Sequence, residues 1–244
     1  MLRTVKGVVR SIVMLLLIGG IGLIGYVVVR DRPQDVPWTE LDLTQPVGMF
    51  TGRKIAALGS DFAKCRALLD RAGVEYAVRS PRGEGQCLAD DSLIPKAGGA
   101  TAIRFRPASL ATSCPVVTGL ALWEWQVLQP AARKHFGESV ASIGHFGSYS
   151  CRRMYGASDS AWSEHATADA IDIASFTLEG GKKISVLNDW NDGSAQEQAF
   201  LREVRDGACD LFATVLSPDY NAAHTNHFHL DQVDRGTAGF RACR

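Results

Sequence analysis

The segment from Ser11 to Val29 contains no charged residue, and it constrains the fold of this chain more than any other feature. About twenty consecutive apolar residues cross the hydrocarbon core of a bilayer as a helix. A cleaved signal peptide has a shorter apolar stretch, followed by small residues at its cleavage site. We therefore predict an uncleaved transmembrane anchor over residues 11–29, with a cleaved signal sequence as the alternative.

The charges that flank this span predict its orientation. Three basic residues precede the span. After it, the positive charge of Arg30 and Arg32 is offset by Asp31 and Asp35. The flank with the excess of basic residues stays in the cytoplasm. We expect residues 1–10 to be cytoplasmic and the rest of the chain to lie outside the cytoplasm.

Composition and charge exclude several classes of function. The chain has 26 basic and 26 acidic residues and no long basic run, so nucleic acid is not an expected partner. An apolar content of 46% is enough to bury a core. No glycine-rich phosphate loop follows a strand and no G-x-S-x-G motif occurs, which argues against nucleotide-dependent and serine-hydrolase chemistry.

All six cysteines lie beyond the apolar span. An even number of cysteines suits an oxidising compartment, where disulfides persist. No C-x-x-C pair occurs, and the wide spacing argues against a structural zinc cluster. We predict three disulfides and expect Cys65 to pair with Cys87, the nearest cysteine; buried free thiols in a reducing compartment are the alternative.

The chain beyond the span divides into a linker and one domain. Residues 30–58 are polar, contain several prolines and lack periodicity, which is typical of a linker. From residue 59 to residue 244 the pattern is that of a folded domain. Its first elements are a short helix with a capping residue at Ser60 or Asp61 and a strand that begins at Val74.

Helices and strands alternate irregularly through this domain. A helix should start at Ser113, and Pro130 should kink or end it, because proline lacks the N–H of an interior helical residue. Ser194 and Glu197 have the spacing of a capping box and predict a second long helix. Glycines between two apolar runs predict a hairpin. Strands are predicted at residues 140–149, 170–176, 184–187, 212–216 and 227–233. This order favours an α+β domain built on an antiparallel sheet with flanking helices.

Histidines concentrate in two segments. One of the six is His165, and three others lie within residues 224–229. A catalytic zinc typically takes three ligands from His, Asp and Glu and leaves one position open. His165 in a loop could fold back beside Asp172 on the next strand. Because side chains alternate along a strand, His227 and His229 would lie on the same face of one. One of them could then bind metal while the other takes part in the chemistry beside it. His135 and His145, outside these segments, are predicted to be structural.

The two segments carry a resemblance to known families. The motif from Ser163 through His165 to Asp172, with a terminal His227-x-His229, resembles the zinc D-Ala-D-Ala carboxypeptidases and related murein endopeptidases. The wider context resembles the bacterial extensin-like C-terminal domain family over about residues 65–243. Its motifs are Tyr149-Ser150-Cys151-Arg152, Ser163-Glu164-His165, Asp189-Trp190, Asn221-Ala222-Ala223-His224 and His227-Phe228-His229-Leu230-Asp231.

The resemblance implies a hedgehog/DD-peptidase-like fold and a Zn²⁺ site formed by His165, Asp172 and His229. It also implies that Arg152 lies near the substrate carbonyl, where it would stabilise an oxyanion. Outer-sphere or substrate-contacting residues are expected to be Ser163, His224 and Asp231.

One departure from the carboxypeptidase pattern concerns the general base. That branch has glutamate three residues before the last histidine ligand, where this chain has Asn226. An amide cannot accept a proton from water, so we expect His227 to take the role of base; otherwise hydrolysis is weak or lost. The pattern of His224, His227 and His229 resembles the penicillin-insensitive murein endopeptidases.

These inferences combine into one predicted function. We expect a single-pass protein of the bacterial inner membrane whose periplasmic domain is a zinc peptidase that hydrolyses amide bonds in peptidoglycan peptides. The alternatives are a cell-wall-binding module that keeps the fold without chemistry, and a protein in which zinc is purely structural.

Overall fold

The computed structural model describes residues 2–236 and 239–244. The first residue of the predicted cytoplasmic segment, Met1, lies outside the described residues. The helices are α1 (Leu2–Asp31), α2 (Thr51–Ala56), α3 (Phe62–Arg71), α4 (Cys114–Trp123), α5 (Gln129–Phe136), α6 (Val186–Asp189) and α7 (Ala195–Ala208). The strands are β1 (Val74–Val78), β2 (Ser92–Gly99), β3 (Arg104–Arg106), β4 (Thr112–Ser113), β5 (Val140–Gly147), β6 (Ala170–Leu178), β7 (Lys183–Ser185), β8 (Thr214–Leu216), β9 (Phe228–Asp231) and β10 (Ala242–Cys243).

Helix α1 contains the predicted membrane span. Its stretch Val5–Asp31 is long and apolar enough to cross a bilayer, and none of its most apolar window is buried against the domain. An N-terminal helix of this kind fits a single-pass anchor and also a signal sequence.

The strands form two sheets. The larger has the order β10-β8-β9-β6-β5-β3, with β7 beside β6, and the smaller has the order β1-β2-β4. The central pairs of the large sheet are antiparallel, whereas β3 joins β5 and β10 joins β8 in parallel. The predicted α+β class, with an antiparallel sheet and flanking helices, is confirmed. The parallel strand pairs at the two edges of the large sheet were not predicted.

The core lies between the large sheet and helices α4, α5 and α7. Phe176 on β6 packs edge-on against Trp123 of α4 and Phe200 of α7, at ring distances of 5.8 and 5.4 Å. Trp123 is fully buried and its indole N–H donates to the carbonyl of Val204. These contacts fix the helices against one face of β6, the strand that carries Asp172.

The helix that starts at Ser113 does not end at Pro130. It widens into a π-helical turn over Glu124–Leu128 and continues as α5. A π turn accommodates a break in the regular hydrogen-bond ladder, as a proline imposes. Gly137, at a φ of 73°, ends the helix in the left-handed conformation that glycine adopts without strain.

The region predicted as a linker, residues 30–58, is largely folded onto the domain. Leu41, Leu43 and Ile55 are buried in the core. Gln34 is also buried and donates to backbone carbonyls of residues 40 and 42. The prediction is therefore corrected: packing begins directly after α1, because a few apolar side chains spaced between prolines are enough to hold an irregular segment against the core.

Three disulfides form, as predicted, but the expected pairing of Cys65 with Cys87 is wrong. The bonds join Cys65 to Cys114, Cys87 to Cys151 and Cys209 to Cys243. Cys65 on α3 faces the start of α4 inside the core, where it is fully buried. Cys87 lies in the loop between β1 and β2, and its disulfide joins this loop to residue 151.

Candidate functional site

Paired strands and one turn bring together the three predicted metal ligands. Asp172 on β6 and His229 on β9 are direct partners in the antiparallel register. His165 lies on a single 3₁₀ turn, Glu164–Thr167, that ends at Ala168 in the left-handed conformation with a φ of 62°. This turn reverses the chain just before β6, so that His165 returns over the start of the strand.

The three side chains meet through one atom each. Nε2 of His165 lies 3.2 Å from Oδ1 of Asp172 and 3.2 Å from Nδ1 of His229. The distance from Nδ1 of His229 to Oδ1 of Asp172 is 3.1 Å. Two ligands at about 2.05 Å from a tetrahedral zinc ion are about 3.3 Å apart. The near-equilateral triangle therefore fits such an ion, and these residues could hold one.

In His165 and His229, the ring nitrogen that points away from the triangle is hydrogen-bonded to an oxygen. Nδ1 of His165 donates to the carbonyl of Ser148 at 2.6 Å, and Nε2 of His229 donates to Oδ2 of Asp231 at 3.2 Å. A hydrogen bond at the nitrogen that points away from the triangle fixes the tautomer of a neutral ring, in which the other nitrogen has its lone pair. Both rings are thus oriented as metal ligands are.

The three side chains of the triangle strongly affect one another's charge. Burial disfavours charge on Asp172, but hydrogen bonds with His165 and His229 hold the pKa of its carboxyl well below the usual range. Burial opposes charge on His229 as well, yet hydrogen bonds to Asp172 and Asp231 raise its pKa to about 9. In the protein without metal, a proton on His229 therefore balances the acidic groups around it.

A family model described as Extensin-like protein C-terminus matches residues 63–244. The chain belongs to this family. Searches of the curated proteins and of the solved structures give no match. The match begins inside α3 and includes every residue of the candidate site. The triangle of His165, Asp172 and His229 therefore lies within the extensin-like domain.

His227 lies beside the triangle in this extensin-like domain. Its Nε2 is 3.4 Å from Oδ1 of Asp172, and its Nδ1 donates to Oδ1 of Asn226 at 2.7 Å. Burial lowers its pKa, which keeps the ring neutral. The ring packs edge-on against Phe146 at 5.9 Å. His227 therefore lies against the open side of Asp172 with a neutral ring.

The second predicted histidine near the site, His224, is also brought close. Its ring centre lies 5.1 Å from that of His227 and 6.0 Å from that of His229. Its Nδ1 donates to Oδ1 of Asn221 at 2.7 Å. Burial, followed by the neighbouring histidines, lowers its pKa to about 4, so it is neutral at pH 7.

Arg152 and Ser163 lie at the edge of the site. Arg152 is exposed, and its charge contributes in small part to the lowered pKa of His227. The Ser163 amide donates to the carbonyl of Arg152, and its hydroxyl accepts from the amide of His165. Ser163 therefore shapes the turn that carries His165, whereas the group bound to the imidazole itself is the carbonyl of Ser148.

Sequence reasoning missed three contributors to this site. The Ser148 carbonyl orients His165, the Asn226 side chain orients His227, and Phe146 covers one side of His227. A backbone carbonyl leaves no signal in a sequence, because every residue has one. Phe146 could have been noticed, because it is a large aromatic residue on a predicted strand just before the Tyr149 motif. Its side chain is 61% exposed, which only the structure reveals.

The two histidines outside the motifs have the surroundings of structural residues. His135 pairs with Glu203 at 2.8 Å, and both lie on the helical side of the core. His145 is buried on β5 and its Nε2 donates to the carbonyl of Pro107.

Proposed function

We propose that the extensin-like domain binds Zn²⁺ through His165, Asp172 and His229 and hydrolyses amide bonds in peptidoglycan peptides. The observation that carries the proposal is the triangle of ligand atoms 3.1–3.2 Å apart. Two imidazoles with one carboxylate are a donor set suited to zinc, whereas Mg²⁺ and Ca²⁺ prefer oxygen ligands. The resemblance of the two histidine motifs to zinc peptidases supports the same metal.

A zinc ion at this position would supply Lewis-acid activation of a water molecule and of the scissile carbonyl. His227 is the residue that takes the proton from the attacking water. Its Nδ1 is committed to Asn226, so its Nε2 has the free lone pair, and this atom faces the triangle. It then delivers the proton to the leaving amine, as a general acid and base placed beside the reacting atoms can do.

Arg152 is the cation that the proposal assigns to this chemistry. It is exposed next to the site, and its charge acts on His227. Its guanidinium would stabilise the negative charge that develops on the carbonyl oxygen during attack. The backbone link from Ser163 to Arg152 keeps that segment beside the turn of His165.

Asn226 does not by itself argue for a lost activity. In this site the residue has the role of orienting a histidine, for which an amide oxygen is suitable. The second candidate, a wall-binding module without chemistry, is favoured only by the absence of glutamate at position 226.

The proposed location is the periplasmic face of the bacterial inner membrane, with α1 as the anchor. The apolar span and the three disulfides support this location, because disulfides persist in oxidising compartments. Peptidoglycan is the peptide polymer present there, and the family resemblance points to the same substrate.

Digestion of murein sacculi tests the proposal. The full-length protein in detergent is incubated with zinc and purified sacculi, and the soluble muropeptides are analysed by mass spectrometry. New peptide ends with the wild type, and none with His165→Ala, are expected. Co-sedimentation with the sacculi without any new end would favour the wall-binding module instead.

A further inference from the structure

A cleft of about 370 Å³ adjoins the candidate metal centre. Phe146 lines the cleft and also packs against His227. Ser148 lines it as well, and its carbonyl holds His165. A peptide with its amide bond at the metal centre can therefore extend directly into the cleft.

The cleft is positively charged. Arg79 and Arg82 line it, and none of the described residues that line it is acidic. The guanidinium of Arg82 stacks on the ring of Tyr149, 4.2 Å from its centre. A stacked guanidinium keeps its N–H groups directed outward along its edge, where they match a carboxylate.

A buried histidine supplies a second polar feature. His145 lines the cleft, is only 7% exposed, and donates from Nε2 to the carbonyl of Pro107. Its Nδ1 has no hydrogen-bond partner among the described residues. This nitrogen is closed off from solvent, so His145 remains a structural residue of the cleft wall and the subsite depends on the two arginines.

The loop that carries the arginines is fixed to the site. The disulfide between Cys87 and Cys151 joins this loop to the residue before Arg152. Tyr149 donates to the carbonyl of Cys87, and a side chain at Gly83 would collide with both groups. Arg82 itself exchanges backbone hydrogen bonds with Ala89. The disulfide and these hydrogen bonds therefore fix the position of the arginines relative to the candidate metal centre.

We propose that Arg79 and Arg82 form a subsite for a substrate carboxylate, so that the preferred substrate is an acidic peptide. Its carboxylate lies in the cleft while its scissile amide lies at the metal centre. The link to cleavage rests on the proposed function, but binding of the acidic peptide does not require turnover.

Equilibrium binding tests this subsite. The probes are soluble muropeptides with free carboxylates and the same muropeptides after amidation, titrated into full-length protein in detergent that carries His227→Ala to prevent turnover. We expect the amidated probe to bind at least about 10-fold more weakly. In that background, Arg79→Gln and Arg82→Gln should each weaken binding of the free acid about 10-fold and leave the amidated probe unchanged.

The control is Arg133→Gln, an exposed arginine on α5 outside the cleft that removes the same charge. It should leave both affinities unchanged. Because Arg82→Gln also removes the stack on Tyr149, Arg79→Gln provides the variant without that contact, and melting curves identify any loss of folding. Equal affinity of the two probes, or an equal effect of Arg133→Gln, would overturn the subsite.

The outcomes separate the subsite from the proposed function. Carboxylate-dependent binding in a protein that never cleaves sacculi would keep the subsite and remove the peptidase. Cleavage by the protein with His227 intact, with KM unchanged in Arg79→Gln, would keep the peptidase and remove the subsite. If both hold, KM should rise in the arginine variants while kcat stays nearly constant, as expected for a binding contact away from the reacting atoms.

Discussion

Nε2 of His165 and Nδ1 of His229 face each other at 3.2 Å, while the opposite nitrogen of each ring is bound by an oxygen of the protein. These two nitrogens and the Asp172 oxygen are electron-rich atoms that repel one another at this distance. A positive charge is therefore needed to keep the three atoms together. A proton on His229 supplies it in the absence of metal. A zinc ion would replace that proton and use all three atoms as ligands.

The roles within the histidine cluster predict different effects of two kinds of substitution. His165→Ala or His229→Ala should abolish zinc binding, because two protein ligands cannot hold the ion tightly. His227→Ala should keep one zinc per chain and lower kcat by about 10²- to 10⁴-fold, the usual contribution of general acid–base catalysis. Metal analysis and muropeptide assays of the purified variants measure both. Equal loss of metal in all three would contradict the assignment.

Asp231 predicts a smaller effect on the metal. Because its carboxylate accepts from His229, Asp231→Asn should weaken zinc affinity about 10- to 100-fold while leaving the ligands in place. Competition with a fluorescent zinc chelator measures this change. Asp159→Asn is the matched control, since Asp159 is exposed outside the site, and its zinc affinity should equal that of the wild type.

The segment after the anchor predicts a change in stability. Lys54 donates to the carbonyl of Pro33 and to the side chains of Gln34 and Thr39. Lys54→Met removes a donor shared by three acceptors and should lower the free energy of unfolding by about 1–3 kcal/mol. Lys64→Met removes an exposed pair with Glu40 and should change the free energy of unfolding much less, because solvent screens that pair. Thermal unfolding compares the two; equal melting temperatures would show that the segment is not held as described.

The stability of the domain should depend on pH through Asp91. Burial, followed by the charge of Asp90, raises the pKa of the Asp91 carboxyl from 3.8 to about 6. The folded protein thus binds this proton more tightly than the unfolded chain. The resulting stabilisation is complete below the unfolded value and is lost as the pH rises through about 6.

Asp91→Asn, which keeps the shape of the protonated group, should therefore be more stable than the wild type at about pH 7.5 by about 1–3 kcal/mol. At about pH 4 the two proteins should have nearly the same stability. Asp90→Asn, at an exposed position, should produce a smaller change. Chemical unfolding at both pH values measures the difference, and a stability gain that is independent of pH would exclude Asp91 as its source.

Local signals in the sequence predicted the elements of this fold better than its long-range contacts. Asp61 and Ser194 cap the helices that they were predicted to begin, because a capping side chain acts on amides only a few residues away. The partner of Cys65 depends on how α3 packs against α4, which no local pattern records. The burial of Leu41 and Leu43 depends in the same way on a core assembled from distant residues.

The same difference between local signals and long-range contacts holds for the candidate site. The side chains of His165, Asp172 and His229 were assigned from their motifs, and the structure brings them together. The Ser148 carbonyl and the cleft of Arg79 and Arg82 were not predicted. They come from the register of β5 with β6 and from a disulfide that joins two separate loops.

Dependence of sacculus cleavage on zinc is the most direct test of the proposed activity. The full-length protein is freed of metal with a chelator, and new peptide ends released from sacculi are counted before and after one equivalent of zinc is restored. The account predicts that release stops in the metal-free protein and returns with zinc, but does not return in His229→Ala. Cleavage that continues without metal, or no release from the zinc-loaded wild type, would contradict it.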